Sequence, residues 1–142
     1  MLGKLARWLR ILGFDVFFDC GYDDDQLLEL SRRENRILLT QDRVLAAKGG
    51  YLVKSTGWKR QLKEVVETFS LQDEIKLFTR CPVCNALLKE ISREDARVLV
   101  PPIAWRKATE FAICPRCGKV YWNGSHVDRM EEVLEEIKLK RG

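Results

Sequence analysis

Four of the five cysteines in this chain of 142 residues fall into two copies of one pattern, Cys81-Pro82-Val83-Cys84-Asn85 and Cys114-Pro115-Arg116-Cys117-Gly118. A Cys-x-x-Cys turn points two sulfurs at one place. Two such turns face to face make the closed tetrahedral thiolate site that structural zinc prefers. Two disulfides or a redox pair are the alternatives. Zinc is the stronger expectation, because the segment between the knuckles is too small to bury a core of its own and bound zinc contributes on the order of 10 kcal/mol to folding. A site filled by four thiolates has no open position, so any chemistry has to be sought elsewhere.

The acids come next. Asp23, Asp24 and Asp25 open the segment Gln26-Leu27-Leu28-Glu29-Leu30, and Asp42 follows Arg36-Ile37-Leu38-Leu39-Thr40. Acids at helix starts are ordinarily caps and partners of the helix dipole, which explains such a cluster without any function. The sharper reading is that Asp24 and Asp42 offer oxygen ligands suited to Mg2+ or Mn2+, metals that activate water and neutralise a leaving oxygen in phosphodiester hydrolysis. Lys4, Arg7 and Arg10 lie in an acid-free opening stretch and suit a phosphate backbone as well as a solvated helix face. Tyr121 and Trp122 follow the second knuckle, where aromatics either pack across a ribbon or stack on bases. The lone His126 reads more readily as structural or capping than as catalytic, and not as a zinc ligand, since four cysteines complete that site; with Tyr121 and Trp122 it is a candidate contact to nucleic acid. Cys20 reads as a packed free thiol.

The elements that must position these groups follow from periodicity. Leu5, Trp8, Leu9 and Leu12 predict an amphipathic helix stopped by Gly13. Phe14–Phe18 has strand length, and a helix from the Asp23 region to about Glu34 exits through Asn35. Strands are expected at Arg36–Thr40 and Tyr51–Lys54, with a short helix Val44–Lys48 between them. A further helix, capped by Ser55 or Thr56, carries Trp58, Leu62, Val65, Val66 and Phe69 on one stripe and leaves Gln61 solvated. Alternating strands and helices imply a parallel sheet whose ligand crevice lies beyond the carboxyl ends of its strands. In the second part Ala96–Ile103 is expected to be extended, with Val98–Val100 as a strand ended by Pro101-Pro102. Ser125 is expected to cap a last helix whose Val127, Met130, Leu134 and Ile137 must dock somewhere. These readings divide the chain into an α/β domain, residues 1–77, and a zinc ribbon with its terminal helix, residues 78–142. The net charge of +4 permits a phosphate-bearing partner, and no apolar run approaches the roughly 18 residues a membrane span needs. With no secretory signal, a soluble cytoplasmic protein is expected.

MLGKLARWLRILGFD, DDDQLLEL, RILLTQDR, RCPVCN, CPRCGKVYW and NGSH together resemble the PIN-like ribonuclease domain with a C-terminal zinc ribbon, the Mut-seven C-terminal RNase domain family. The resemblance covers essentially the whole chain. It implies a PIN-like three-layer α/β fold with a parallel sheet, a metal-dependent RNase activity and RNA as partner. Asp42 matches the acid placed after a strand to bind metal, and Asp24 best matches the acid opening the preceding helix, with Asp23 and Asp25 as near alternatives. Members of the family usually carry a short strand before the segment matching MLGKLARWLR, ending in an aspartate that is the first metal ligand. That strand is missing from this sequence. Its absence implies unpaired ladder groups to be filled by another segment, such as one from a second copy in a homo-oligomer, or a start upstream of Met1. A non-catalytic RNA-binding or protein-interaction module is the alternative function.

Overall fold

A computed structural model describes residues 2–137. Helix α1, Gly3–Ile11, buries Leu5, Trp8 and Leu9, and Leu12 just beyond it is buried too, as the spacing predicts; Ile11 is also buried. Gly13 follows at φ +98°, and a side chain there would run into the Lys76 carbonyl. The close approach is held by the Lys76 N–H donating to the Leu12 carbonyl at 2.8 Å. Helix α4, Trp58–Thr68, lays Leu62, Val65 and Val66 against α1. Val53, Ile75 and the side chains Val133, Leu134 and Ile137 from the end of the chain complete this core. Each such side chain contributes about 1.5–3 kcal/mol by leaving water. Helix α7, Ser125–Glu136, thus docks in the core of the first part of the chain, although it follows the ribbon in sequence. The ribbon's own core, Ala96, Val100, Ala108 and Phe111, is too small to cover it.

Helix α2, Asp24–Arg33, leaves through Asn35 at φ +53° and leads to strand β1, Leu39–Thr40. Helix α3, Arg43–Ala47, returns the chain to strand β2, Tyr51–Leu52, which pairs parallel to β1 with Leu39 opposite Tyr51. Both strands are shorter than expected. The Lys54 and Ser55 N–H groups, which would extend β2, donate to the Glu64 carboxylate instead. Phe14–Phe18 forms no strand, because the Val16 N–H donates to Asn85 Oδ1 at 2.9 Å and its carbonyl accepts from Arg10 Nε and Nη2. Among the described residues the parallel sheet is two strands wide. A cavity of about 560 Å3, lined by Leu5, Leu9, Phe17, Leu30, Ile37 and Leu39 among others, opens beside β1, and no β2 residue lines it.

The second part is an antiparallel sheet of β3 (Lys89–Ile91), β4 (Phe111–Ile113) and β5 (Val120–Trp122), with β4 central. The expected extended stretch Ala96–Ile103 is mostly helical. Ser92 Oγ accepts from the Asp95 N–H to start α5, Arg93–Ala96, and Pro102 occupies the first turn of α6, Pro102–Lys107, where its missing N–H costs nothing. Trp105 locks the two helices by donating to the Arg93 carbonyl, and the Arg93 guanidinium lies 4.0 Å from the Trp105 ring centre. Three further expectations are corrected. Gln61 is buried, its Nε2 donating to the Ser55 carbonyl. Gly57, at φ +82°, is the residue before α4, and neither Ser55 nor Thr56 caps it. Cys20 is exposed, in a turn where Asp19 Oδ1 accepts from the Gly21 N–H.

Candidate metal centre and acidic edge

The two knuckles meet. Ligand atoms of Cys81, Cys84, Cys114 and Cys117 all lie within 4.8 Å of one another, the one such group of three or more among the described residues. Cys81 and Cys117 sulfurs are 3.8 Å apart. Two sulfurs about 2.3 Å from one tetrahedral ion are separated by roughly that distance, whereas a disulfide needs about 2 Å. Asn85 and Gly118, the residue after each knuckle, have positive φ, +66° and +79°. This lets their N–H groups return to the Cys81 and Cys114 carbonyls, while the Cys84 and Cys117 N–H groups donate to the first sulfur of each turn at 3.4 Å. The donor set fits structural zinc.

Electrostatics agrees with a cation at the centre. Burial works against ionising Cys81, but hydrogen bonds from the Tyr121 hydroxyl and from the N–H groups of Cys84 and Val83 outweigh it and bring the thiol to about 7. Desolvation and the neighbouring sulfurs push Cys84 up to about 12. Four thiolates so close need a positive ion between them. Arg10 supplies part of that charge from outside. Its guanidinium donates to the carbonyls of Pro82 and Val83 at 3.1 Å and to that of Val16.

Arg10 therefore joins α1 to the first knuckle, and other groups reinforce the joint. Arg80 donates to the Gly13 carbonyl and Asn85 Nδ2 to Asp15, while Arg36 takes both oxygens of Asp15 at 3.1 and 3.2 Å. Burial opposes the Asp15 charge, but hydrogen bonds from Asn85 and Arg36 hold its carboxyl below the usual range. Asp15, Asn85 and Arg80 were not singled out from sequence. Only the turn-forming residue after the knuckle hinted at Asn85.

The acids stand apart from the cysteines. Asp23 is the cap of α2, in a reciprocal pair with Gln26 at 2.8 and 2.9 Å. That leaves Asp24 and Asp25 exposed in the first turn, and Asp24 makes no side-chain hydrogen bond or ion pair among the described residues. Asp42 caps α3, with Oδ1 accepting from the N–H groups of Val44 at 2.8 Å and Leu45 at 3.2 Å. Its other oxygen accepts no hydrogen bond among the described residues.

Of the remaining expected groups, Lys4 and Arg7 are exposed on α1. The Tyr121 hydroxyl lies 3.1 Å from the Cys81 sulfur, and Trp122 packs against the ribbon core. The side chain of His126 lies outside the described residues.

An α/β unit with Asp42 just beyond its first parallel strand, and an antiparallel ribbon whose four cysteines could hold a metal ion, define the class of the chain. The Mut7-C RNAse domain family matches residues 1–134, and the chain belongs to that family. Membership points to a nuclease-type role, with RNA as the substrate class. No curated protein and no solved structure matches the chain. Among the described residues, no helix is long and apolar enough to cross a membrane.

Proposed function

We propose that this chain is a metal-dependent ribonuclease with a PIN-like three-layer fold, in which Asp24 and Asp42 hold Mg2+ or Mn2+ at the edge of the parallel sheet. The observation that carries this reading, beside the family, is Asp42. It stands two residues beyond the end of β1, and one of its carboxylate oxygens accepts no hydrogen bond among the described residues. Chain direction supports Asp24 as its companion. A helix that leads by a short link into a strand runs back along it, which brings the start of α2 toward the edge where β1 ends. A divalent ion held there supplies Lewis acidity and an activated water for phosphodiester hydrolysis. Two carboxylates leave most of its coordination to water, so binding is expected to be weak. Lys4 and Arg7 attract the RNA backbone, and the ribbon's zinc does no chemistry.

Cleavage of a single-stranded RNA in the presence of Mn2+ tests the reading, with Asp42→Asn as the variant. Asn caps a helix about as well as Asp, so folding is retained. Cleavage should be lost. Cleavage at the wild-type rate would sink the assignment. One observation favours a second reading, a non-catalytic RNA-binding or protein-interaction module: among the described residues only cysteines gather three or more ligand atoms. That reading expects RNA binding with no metal-dependent cleavage at all.

A further inference from the structure

Trp58 begins α4 and stacks on the buried Trp8 of α1, with ring centres 4.8 Å apart and planes 15° from parallel. Its position is fixed by packing against the core, and the residue is half-buried. Two ammonium groups converge on it, Lys4 from α1 at 5.3 Å and Lys59 from α4 at 5.6 Å from the ring centre. Arg7 lies one turn from Lys4, and Lys63 lies one turn from Lys59. Lys59, Arg60 and Lys63 line a depression of about 330 Å3 bounded also by Glu136 and Ile137. Among the described residues that line it Glu136 is the one carboxylate, and it is paired with Lys59. Glu64 on the same helix is turned away, held by Tyr51, Lys54 and Ser55. Helices α1 and α4 thus hold two ammonium groups over one packed aromatic ring, and Lys59 leads from it to the depression that Arg60 and Lys63 line.

We propose that this α1–α4 face binds a single strand of RNA, with phosphates along Lys4, Arg7, Lys59, Arg60 and Lys63 and a base on Trp58. The inference rests on RNA being the substrate class. Charge complementarity supplies affinity for the backbone. A single aromatic platform between cations takes an unstacked base, which a duplex does not offer. Trp58, Arg60 and Lys63 would then extend the grip of the basic helix well beyond α1.

Fluorescence anisotropy of an end-labelled oligouridylate about twelve nucleotides long, without added divalent metal, tests this over about 50–300 mM salt. The double variant Arg60→Gln/Lys63→Gln should bind roughly tenfold more weakly at low salt, with the slope of log K against log salt shallower by about 1.4. The control Arg106→Gln/Lys107→Gln, on exposed positions of α6, should bind as wild type. Unchanged affinity and slope in the first variant, an equal loss in the control, or equal affinity for a duplex of the same length would each overturn the proposal. The readout is binding alone. Cleavage that survives Asp42→Asn would refute the acidic site and leave this face standing, whereas unchanged RNA binding by Arg60→Gln/Lys63→Gln would refute this face and leave the acidic site standing.

Discussion

The Glu64 carboxylate accepts from the Tyr51 hydroxyl at 2.7 Å and from the Ser55 N–H at 2.8 Å, with the Lys54 N–H close behind. Burial works against its charge, yet these donors outweigh it and hold the carboxyl at about 2, against an ordinary 4.5. A depressed carboxyl stabilises the fold above its unfolded value, and that contribution disappears as pH falls from about 4.5 toward about 2. Glu64→Gln should therefore cost about 1–2 kcal/mol at neutral pH and flatten the acid limb of a denaturation curve. An acid limb identical to wild type would contradict this. Arg10 gives a second test at this scale. A lysine cannot span the Val16 carbonyl and the Pro82 and Val83 carbonyls together, so Arg10→Lys should lower stability by about 2 kcal/mol in the zinc-loaded protein. Thermal denaturation reads it. Sequence alone made Arg10 look like a phosphate ligand, because side-chain type reveals charge but not which distant carbonyls lie within reach.

Among the elements, α1, α2, α4 and the knuckles were legible because each carries a local signal: an apolar stripe, a capping acid or a paired cysteine. The helices α5 and α6 were not. Val98 is exposed and the prolines suggested a strand end, whereas the deciding features were the Ser92 cap and the Trp105 bond to Arg93. The same limit hid the fate of Phe14–Phe18, whose strand-like composition lost to side chains arriving from Arg10 and Asn85. Removal of metal should expose that dependence. Chelation, or Cys114→Ser, is expected to abolish the ribbon and also to speed hydrogen exchange at the Val16 N–H, which loses its Asn85 acceptor. Exchange at Val16 unaffected by zinc would show that the joint does not need the knuckle.

For the whole molecule, the position of α7 decides how the parts melt. It lies beyond the ribbon in sequence, yet Val133 and Leu134 are buried with Leu62 and Val66. Leu134→Ala should cost about 3 kcal/mol. Because α7 and the Arg10 joint both tie the ribbon to the first core, unfolding should be one cooperative step by helical and ribbon probes. Two separated transitions would contradict it. The need for this helix to dock was readable from its apolar face; the place was not, since it depends on which core has room. The aspartates were legible only as residue types, and Asp42 proved to be a helix cap whose second oxygen accepts no hydrogen bond among the described residues.

The joint also sets an order in time. Arg10 and Pro82 stand 72 positions apart, and closing a loop of that length costs about 4 kcal/mol before any contact rewards it. The first knuckle has no second pair of sulfurs until Cys117 has been made. The Val16 N–H has its acceptor only when Asn85, 69 positions on, has been brought beside it. Within the chain, residues near its first helix therefore settle only after a segment 69 to 72 positions later has been placed beside them.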